Sequence, residues 1–259
     1  VYGCRAFAGE QPEGRKMGGL LAATSQSDVV PSVMHGLGKL ASGGVQSCGL
    51  GVVAEHRIER RRESGPLSTL SHLLSEAPLT ANTVIGHAEQ TVLVPPERRN
   101  AQPHASSRVA VAMVGSIDNH AALRLELKLE GVHFRGSDES EVAVWLLDRE
   151  LANGALPIRS LHHSLPRLRG SFALVFICPR FRDRLYAASH GMPLFVGKSR
   201  DASFISSRAR ALPKDCQQWM SLSDGQLAEL RPGMARVFNP ALQPSAANWQ
   251  APALRGAHQ

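Results

Sequence analysis

Apolar residues recur at helical spacing in five places along the chain, and shorter β-type runs flank them on both sides. Val29, Val30, Val33, Met34, Leu37 and Leu40 follow an aspartate, Asp28, that can accept the first free amides of a helix. Pro31 is tolerated in that first turn, because its missing N–H would have no partner there, and Gly43 and Gly44 close the helix. Leu67, Leu70, Leu73 and Leu74 give a short amphipathic helix over 67–77. A third helix is predicted over 118–129, capped by Asp118, with Ala122, Leu123 and Leu127 on one face and Gly131 as its stop. A fourth covers 141–152, with Val142, Trp145, Leu146 and Ala152 inward, and a fifth covers 157–165. Residues 1–10 (VYGCRAFAGE) alternate as a first strand would, and FALVFIC (172–178), LYAAS (185–189), PLFVGK (193–198), SFISS (203–207) and QLAEL (226–230) are further strands. Residues 11–27 are rich in Gly, Ser and Gln without a sustained period, and are read as a loop or mobile arm. Beyond Pro232 the apolar residues are too sparse to build a domain, so 232–259 is read as an extended tail. Strands, then helices, then strands again place the chain in the α+β class.

Composition narrows this picture. With 259 residues and 43% hydrophobic content the chain can bury a real core. It has no run of eighteen apolar residues and no basic-then-apolar amino terminus, which argues against a membrane span and a signal peptide. Val1 in place of Met fits either removal of an initiator or cleavage of a targeting segment. The net charge of +7 comes mostly from arginines in short runs, including Arg60, Arg61 and Arg62 within RIERRR. Such a face suits acidic protein subunits or an RNA backbone, but no aromatic residues interleave for base stacking. Cys4, Cys48, Cys178 and Cys216 form no CxxC pair, the histidines form no HExxH, and no metal or cofactor is expected. Residues 49–54 satisfy a loose GxGxxG/A search, yet the preceding residues are turn-like and no helix pattern follows.

The stretch 82–147 resembles, without a gap, the glutaminase segment of the class II glutamine amidotransferases, as found in glutamine:fructose-6-phosphate aminotransferases. The family pattern there is IGHTRWATHG, NAHPH, VVVHNG, LR.EL, GH.F and TDTEV. His87, Asn100, Pro103, His104, Gly115, Asn119, Leu123, Arg124, Glu126, Leu127, Gly131, Phe134, Glu141 and Val142 keep its frame. GVQSCGLGVVA (44–54) is similar to the family's GYDSAGIAV, and LPRLRGSFALVF, AASHGMPLFVG, FISSRARAL and LSDGQLAEL continue the match to about residue 230. The resemblance implies a glutaminase-like domain over 1–231 with 11–27 inserted. It also implies a four-layer αββα sandwich of the amino-terminal-nucleophile hydrolase type.

The residues that should carry the family's chemistry differ. The family opens with a free cysteine in CGIVGYIG, whose thiol attacks while its own amine takes the proton. Aligning Tyr2 with that cysteine sets Gly3, Phe7 and Gly9 opposite Gly, Tyr and Gly; aligning Cys4 leaves no later glycine in place. A phenol is a poor nucleophile at neutral pH, and Val1 would turn the base into an amide. HNG, which supplies the oxyanion donors, reads Met113, Val114 and Gly115, so the side-chain donor is gone. The arginine of TRWATHG, which pairs with the substrate carboxylate, is Glu89, followed by Gln90; the aspartate of TDTEV is Glu139. The expectation is a catalytically inactive glutaminase-like protein, with Tyr2, Gly3, Glu89, Gln90, Val114, Gly115 and Glu139 as a vestigial pocket. It would serve as a structural or docking subunit of a larger, organellar (mitochondrial) assembly, using Arg60, Arg61, Arg62 and Trp249 as contacts. The alternatives are an active amidotransferase or amidohydrolase with altered substrate, or a small-molecule sensor using the old pocket.

Overall fold

The computed structural model describes residues 17–41, 44–90 and 97–251. Two antiparallel sheets lie face to face. The first comprises β1 (Met17–Ser25), β2 (Ser47–Ala54), β3 (Arg57–Ser64), β4 (Thr83–Gln90), β9 (Phe195–Lys198), β10 (Ala202–Ser206) and β11 (Gln218–Ser221), in the order β11-β9-β10-β1-β4-β2-β3. The second comprises β5 (His104–Ala105), β6 (Ala110–Ile117), β7 (Gly170–Cys178), β8 (Phe181–His190), β12 (Leu227–Arg231) and β13 (Met234–Phe238), in the order β13-β12-β8-β7-β6-β5. Helices α1 (Val30–Leu40) and α2 (Leu67–Glu76) cover the first sheet; α3 (His120–Leu129), α4 (Ser140–Ala152) and α5 (Pro157–Ser164) cover the second.

Strand alternation produces the layers. In β1, Leu20 and Ala22 face the opposite sheet, together with Ile85, Ala112, Val175 and Ile205, while Leu21 and Ala23 join the core under α1 with Val33 and Leu37. Three apolar cores between four layers follow, which is the expected αββα sandwich. Asp28 takes its predicted role, accepting from the Val30 amide at 3.1 Å and from the Ala81 amide at 3.0 Å. The other helices fall where the periodicity puts them, and Gly131, at φ +90°, lies just past the end of α3.

Two boundaries differ from expectation. The loop expected over 11–27 is, from Met17 to Ser25, a central strand flanked by β10 and β4. Leu20, Leu21, Ala22 and Ala23 are all fully buried, so a strand covered on both faces reads as an unbroken run of small and apolar residues with no period of two. Residues 11–16, and the strand expected over 1–10, lie outside the described residues. The tail expected from 232 onward is likewise part of the domain. β13 pairs along β12, Ser245 donates to the Val237 carbonyl at 2.8 Å, and Gln250 and Trp219 exchange backbone hydrogen bonds. The Trp249 ring, expected to anchor a partner, packs against the inter-sheet core of its own domain, with Lys198 Nζ 4.5 Å from its centroid. No helix among the described residues is long and apolar enough to cross a membrane.

Candidate functional site

Alternate residues of β4 point toward the second sheet, so His87 and Glu89 follow Ile85 on the inner face. In the register of β1 on β4, Gly18 stands opposite Glu89 and Leu20 opposite His87. Across the sandwich, β6 contributes Met113, Val114 and Gly115, and Gln102 closes the space from the segment before β5. These seven residues line one narrow cleft with no room for a water molecule. Gly115, at φ +91°, must be glycine, because a Cβ there would lie 2.1 Å from the Ser171 carbonyl oxygen. Val114 is nearly buried and belongs to the inter-sheet core. Gln102 stands where the family pattern NAHPH has its first histidine, and its Oε1 accepts from the Met113 amide at 2.7 Å.

The structure brings together only part of the expected pocket. Glu89, Val114 and Gly115 share the cleft. Gln90 turns away, its amide donating to the Leu40 carbonyl at 3.2 Å. Glu139 accepts from the Ile117 amide at 2.5 Å and lies 3.9 Å from His120 Nδ1, beyond the end of β6. Tyr2, Gly3 and Cys4 lie outside the described residues. Sequence reasoning missed Gly18 and Gln102. The exchange of His for Gln in NAHPH was a legible signal for Gln102, whereas Gly18 lay hidden in the segment taken for a loop. Chemically, the described lining offers two carboxamide or carboxylate side chains and one imidazole, and no thiol, hydroxyl or amine. The described cysteines are elsewhere and buried. Burial pushes Cys48 up to about 11 and Cys216 up to about 12, and it also raises Cys178, so all three remain protonated thiols at neutral pH.

Beside the cleft lies a dense polar frame. His104, nearly fully buried, has Nε2 3.2 Å from the Asn100 carbonyl and 3.8 Å from Asp138 Oδ1, and Nδ1 3.4 Å from Glu141 Oε1. Arg124 donates to the Gly136 and Asp138 carbonyls at 2.9 and 2.8 Å, and its guanidinium stacks 4.1 Å above Phe134. Burial alone would raise the Glu141 carboxyl. The His104 hydrogen bond and charge, the Gly136 amide and Arg124 outweigh that and hold it below the usual carboxylate range.

The three arginines expected to contact partners are divided by the pleat of β3. Arg60 and Arg62 stand opposite Gly51 and Gly49 of β2, on the inner face. Arg61 points the other way, donating to the Ala77 carbonyl at 3.1 Å and lying 3.7 Å from Glu59.

Comparison with known proteins gives a consistent picture. Residues 90–214 match a family model described as a glutamine amidotransferase domain. The chain is 34% identical over 223 residues to the glutamine–fructose-6-phosphate aminotransferase [isomerizing] of Mesorhizobium japonicum, covering 86% of this chain and 37% of that one. It is 36% identical over 214 residues to the enzyme of the same name from Bradyrhizobium diazoefficiens, covering 83% and 35%. The chain thus spans little more than a third of the length of these curated relatives. Among solved structures it is similar to the glutamine phosphoribosylpyrophosphate amidotransferase of B. subtilis, with a TM-score of 0.73 and 18% identity over 87% of this chain and 50% of that one. That last likeness concerns the fold.

Proposed function

Because this chain carries a class II glutamine amidotransferase domain, homologous to the glutaminase domain of glutamine–fructose-6-phosphate aminotransferase, we propose that it has kept the fold and lost glutamine hydrolysis. It acts, in this reading, as a docking subunit of a larger assembly. One observation carries the first half: the cleft between β1, β4 and β6 has no thiol, hydroxyl or amine among its described lining, and it holds the carboxylate Glu89 at the position where the family motif has its substrate-pairing arginine.

The position of β1 sharpens this. It lies beside β4 in the sheet, so we take it, rather than residues 2–9, as the counterpart of the family's opening strand. The cleft residue of that strand is then Gly18, which has no side chain to attack with. The oxyanion side is half depleted, since Val114 has no side-chain donor and only the Gly115 backbone remains of the family's pair. Loss of one such donor costs on the order of a hundredfold to a thousandfold in rate. The docking half draws on surface features: Arg-bearing β3 is the edge of its sheet, and Leu125 and Leu129 stand exposed one turn apart on α3.

Two measurements test the reading. Purified protein incubated with glutamine is expected to release no ammonia or glutamate above a heat-treated control. Protein isolated from its source under native conditions is expected to migrate well above the 27.9 kDa of the chain. Steady glutamate release would favour an active amidohydrolase. A free monomer would remove the docking role.

A further inference from the structure

The geometry points to a second ligand site, separate from the cleft: the recess lined by Ile58, Arg60, Arg62, Arg98 and Arg99 binds a phosphorylated small molecule through its phosphoryl oxygens. It rests on observations independent of whether glutamine is hydrolysed.

The recess exists because of the pairing of β3 on β2. Arg60 and Arg62 alternate onto one face opposite Gly51 and Gly49, and the missing side chains let the segment before β5 pass close over β2. A Cβ on Gly49 would lie 2.4 Å from the Gln102 carbonyl oxygen. That segment takes one nitrogen of each arginine: Arg60 Nη1 donates to the Pro103 carbonyl at 3.1 Å, and Arg62 Nη1 to the Ala101 carbonyl at 2.7 Å. These bonds fix both guanidinium groups in half-buried positions and leave their other N–H groups for a ligand. From the far wall, Arg98 Nε donates to the Arg62 carbonyl at 2.9 Å.

Charge supplies the second argument. Arg98 pairs with Glu63 at 3.4 Å and Arg99 with Glu97, but no carboxylate lies within ion-pair distance of Arg60 or Arg62 among the described residues. Burial, then the charges of Arg62 and Arg135, push the Arg60 guanidinium down to about 10; burial, with Arg98 and Arg135, lowers that of Arg62 against the pull of Glu141. Like charges are therefore held together at a cost that a multiply charged anion would relieve. Guanidinium forks match phosphoryl oxygens in geometry. The recess, about 490 Å³, suits a sugar phosphate or a nucleotide. Its described lining has no aromatic residue, which disfavours stacked RNA bases.

Calorimetric titration of the full chain with inorganic pyrophosphate, and separately with adenosine diphosphate, tests the proposal. Saturable binding is expected, weakened about tenfold or more in Arg60→Gln and Arg62→Gln. It should be unchanged in Arg182→Gln, an exposed arginine on β8. Should either variant fail to fold, phenylglyoxal labelling of the unaltered protein replaces it, with pyrophosphate expected to protect Arg60 and Arg62. Absence of saturation up to about 10 mM pyrophosphate, full binding in the folded variants, or protection confined to other arginines would overturn the site. Stronger competition by polyglutamate or by an RNA oligonucleotide than by adenosine diphosphate would reassign it to a macromolecular partner.

Discussion

Gln102 and His104 are two residues apart on one segment, yet they belong to regions with opposite fates. His104 enters a buried frame in which Asn100, Arg124, Asp138 and Glu141 satisfy one another through hydrogen bonds and close charge pairs. Gln102 enters the cleft, where a glycine, a valine and a carboxylate face each other across a space too small for water. The frame holds β5, the loop before α4 and the start of α4 in place, so its groups cannot be exchanged singly without stranding a buried charge. The cleft residues bear on folding mainly as filler. Under the proposed reading, the frame would keep the architecture unchanged while the cleft lost its chemistry.

Breaking the frame should have the largest effect. Glu141→Ala leaves His104 and Arg124 beside an empty buried site and is expected to destabilise the domain by about 3–5 kcal/mol, measured by urea unfolding. A loss within experimental error would mean that the network is ornamental. The same group gives a pH dependence. Because the folded carboxyl lies below its ordinary value of 4.5, its contribution is complete above that pH and disappears as pH falls through the lower folded value. The stability gap between the unaltered protein and Glu141→Gln should therefore be widest near neutrality and shrink below pH 4.5.

Substitutions in the cleft are expected to cost less, and through packing alone. Gly115→Ala forces a Cβ against the Ser171 carbonyl at a positive φ, at about 1–3 kcal/mol. Val114→Asn puts back a side-chain donor at the oxyanion position; a cost of about 1–3 kcal/mol for the buried amide is expected, with no gain in glutamine hydrolysis. If that single change produced turnover, the cleft would be a suppressed active site. Arg98→Gln removes a mostly exposed pairing with Glu63 and should shift stability by no more than about 0.5 kcal/mol.

Much of this arrangement was legible in the sequence, for physical reasons that differ by region. The helices could be read because each has one wet face: Leu123 and Leu127 of α3, or Val33 and Leu37 of α1, repeat against polar neighbours. β1 was not legible as a strand, since burial on both faces erases the alternation that identifies one. β3 was hidden for the reverse reason, as RIERRRES has a single apolar residue and owes its strand conformation to pairing with β2. In the pocket, Glu89, Val114 and Gly115 were found from the family motif. Glu139 accepts from the Ile117 amide at the end of β6, a contact that motif spacing does not encode. The same blindness applied to Trp249, whose contacts come from a chain returning to β11 more than 200 residues after β1.

The central question is whether any group in this protein attacks glutamine. The most direct measurement is intact-mass spectrometry after incubation of the full chain with an electrophilic, thiol-directed glutamine analogue, followed by peptide mapping. An unmodified mass is expected at analogue concentrations that fully label a glutaminase control, with Cys48, Cys178 and Cys216 shielded by burial. Stoichiometric addition of one analogue, mapped to Cys4 or to any residue lining the cleft, would contradict it.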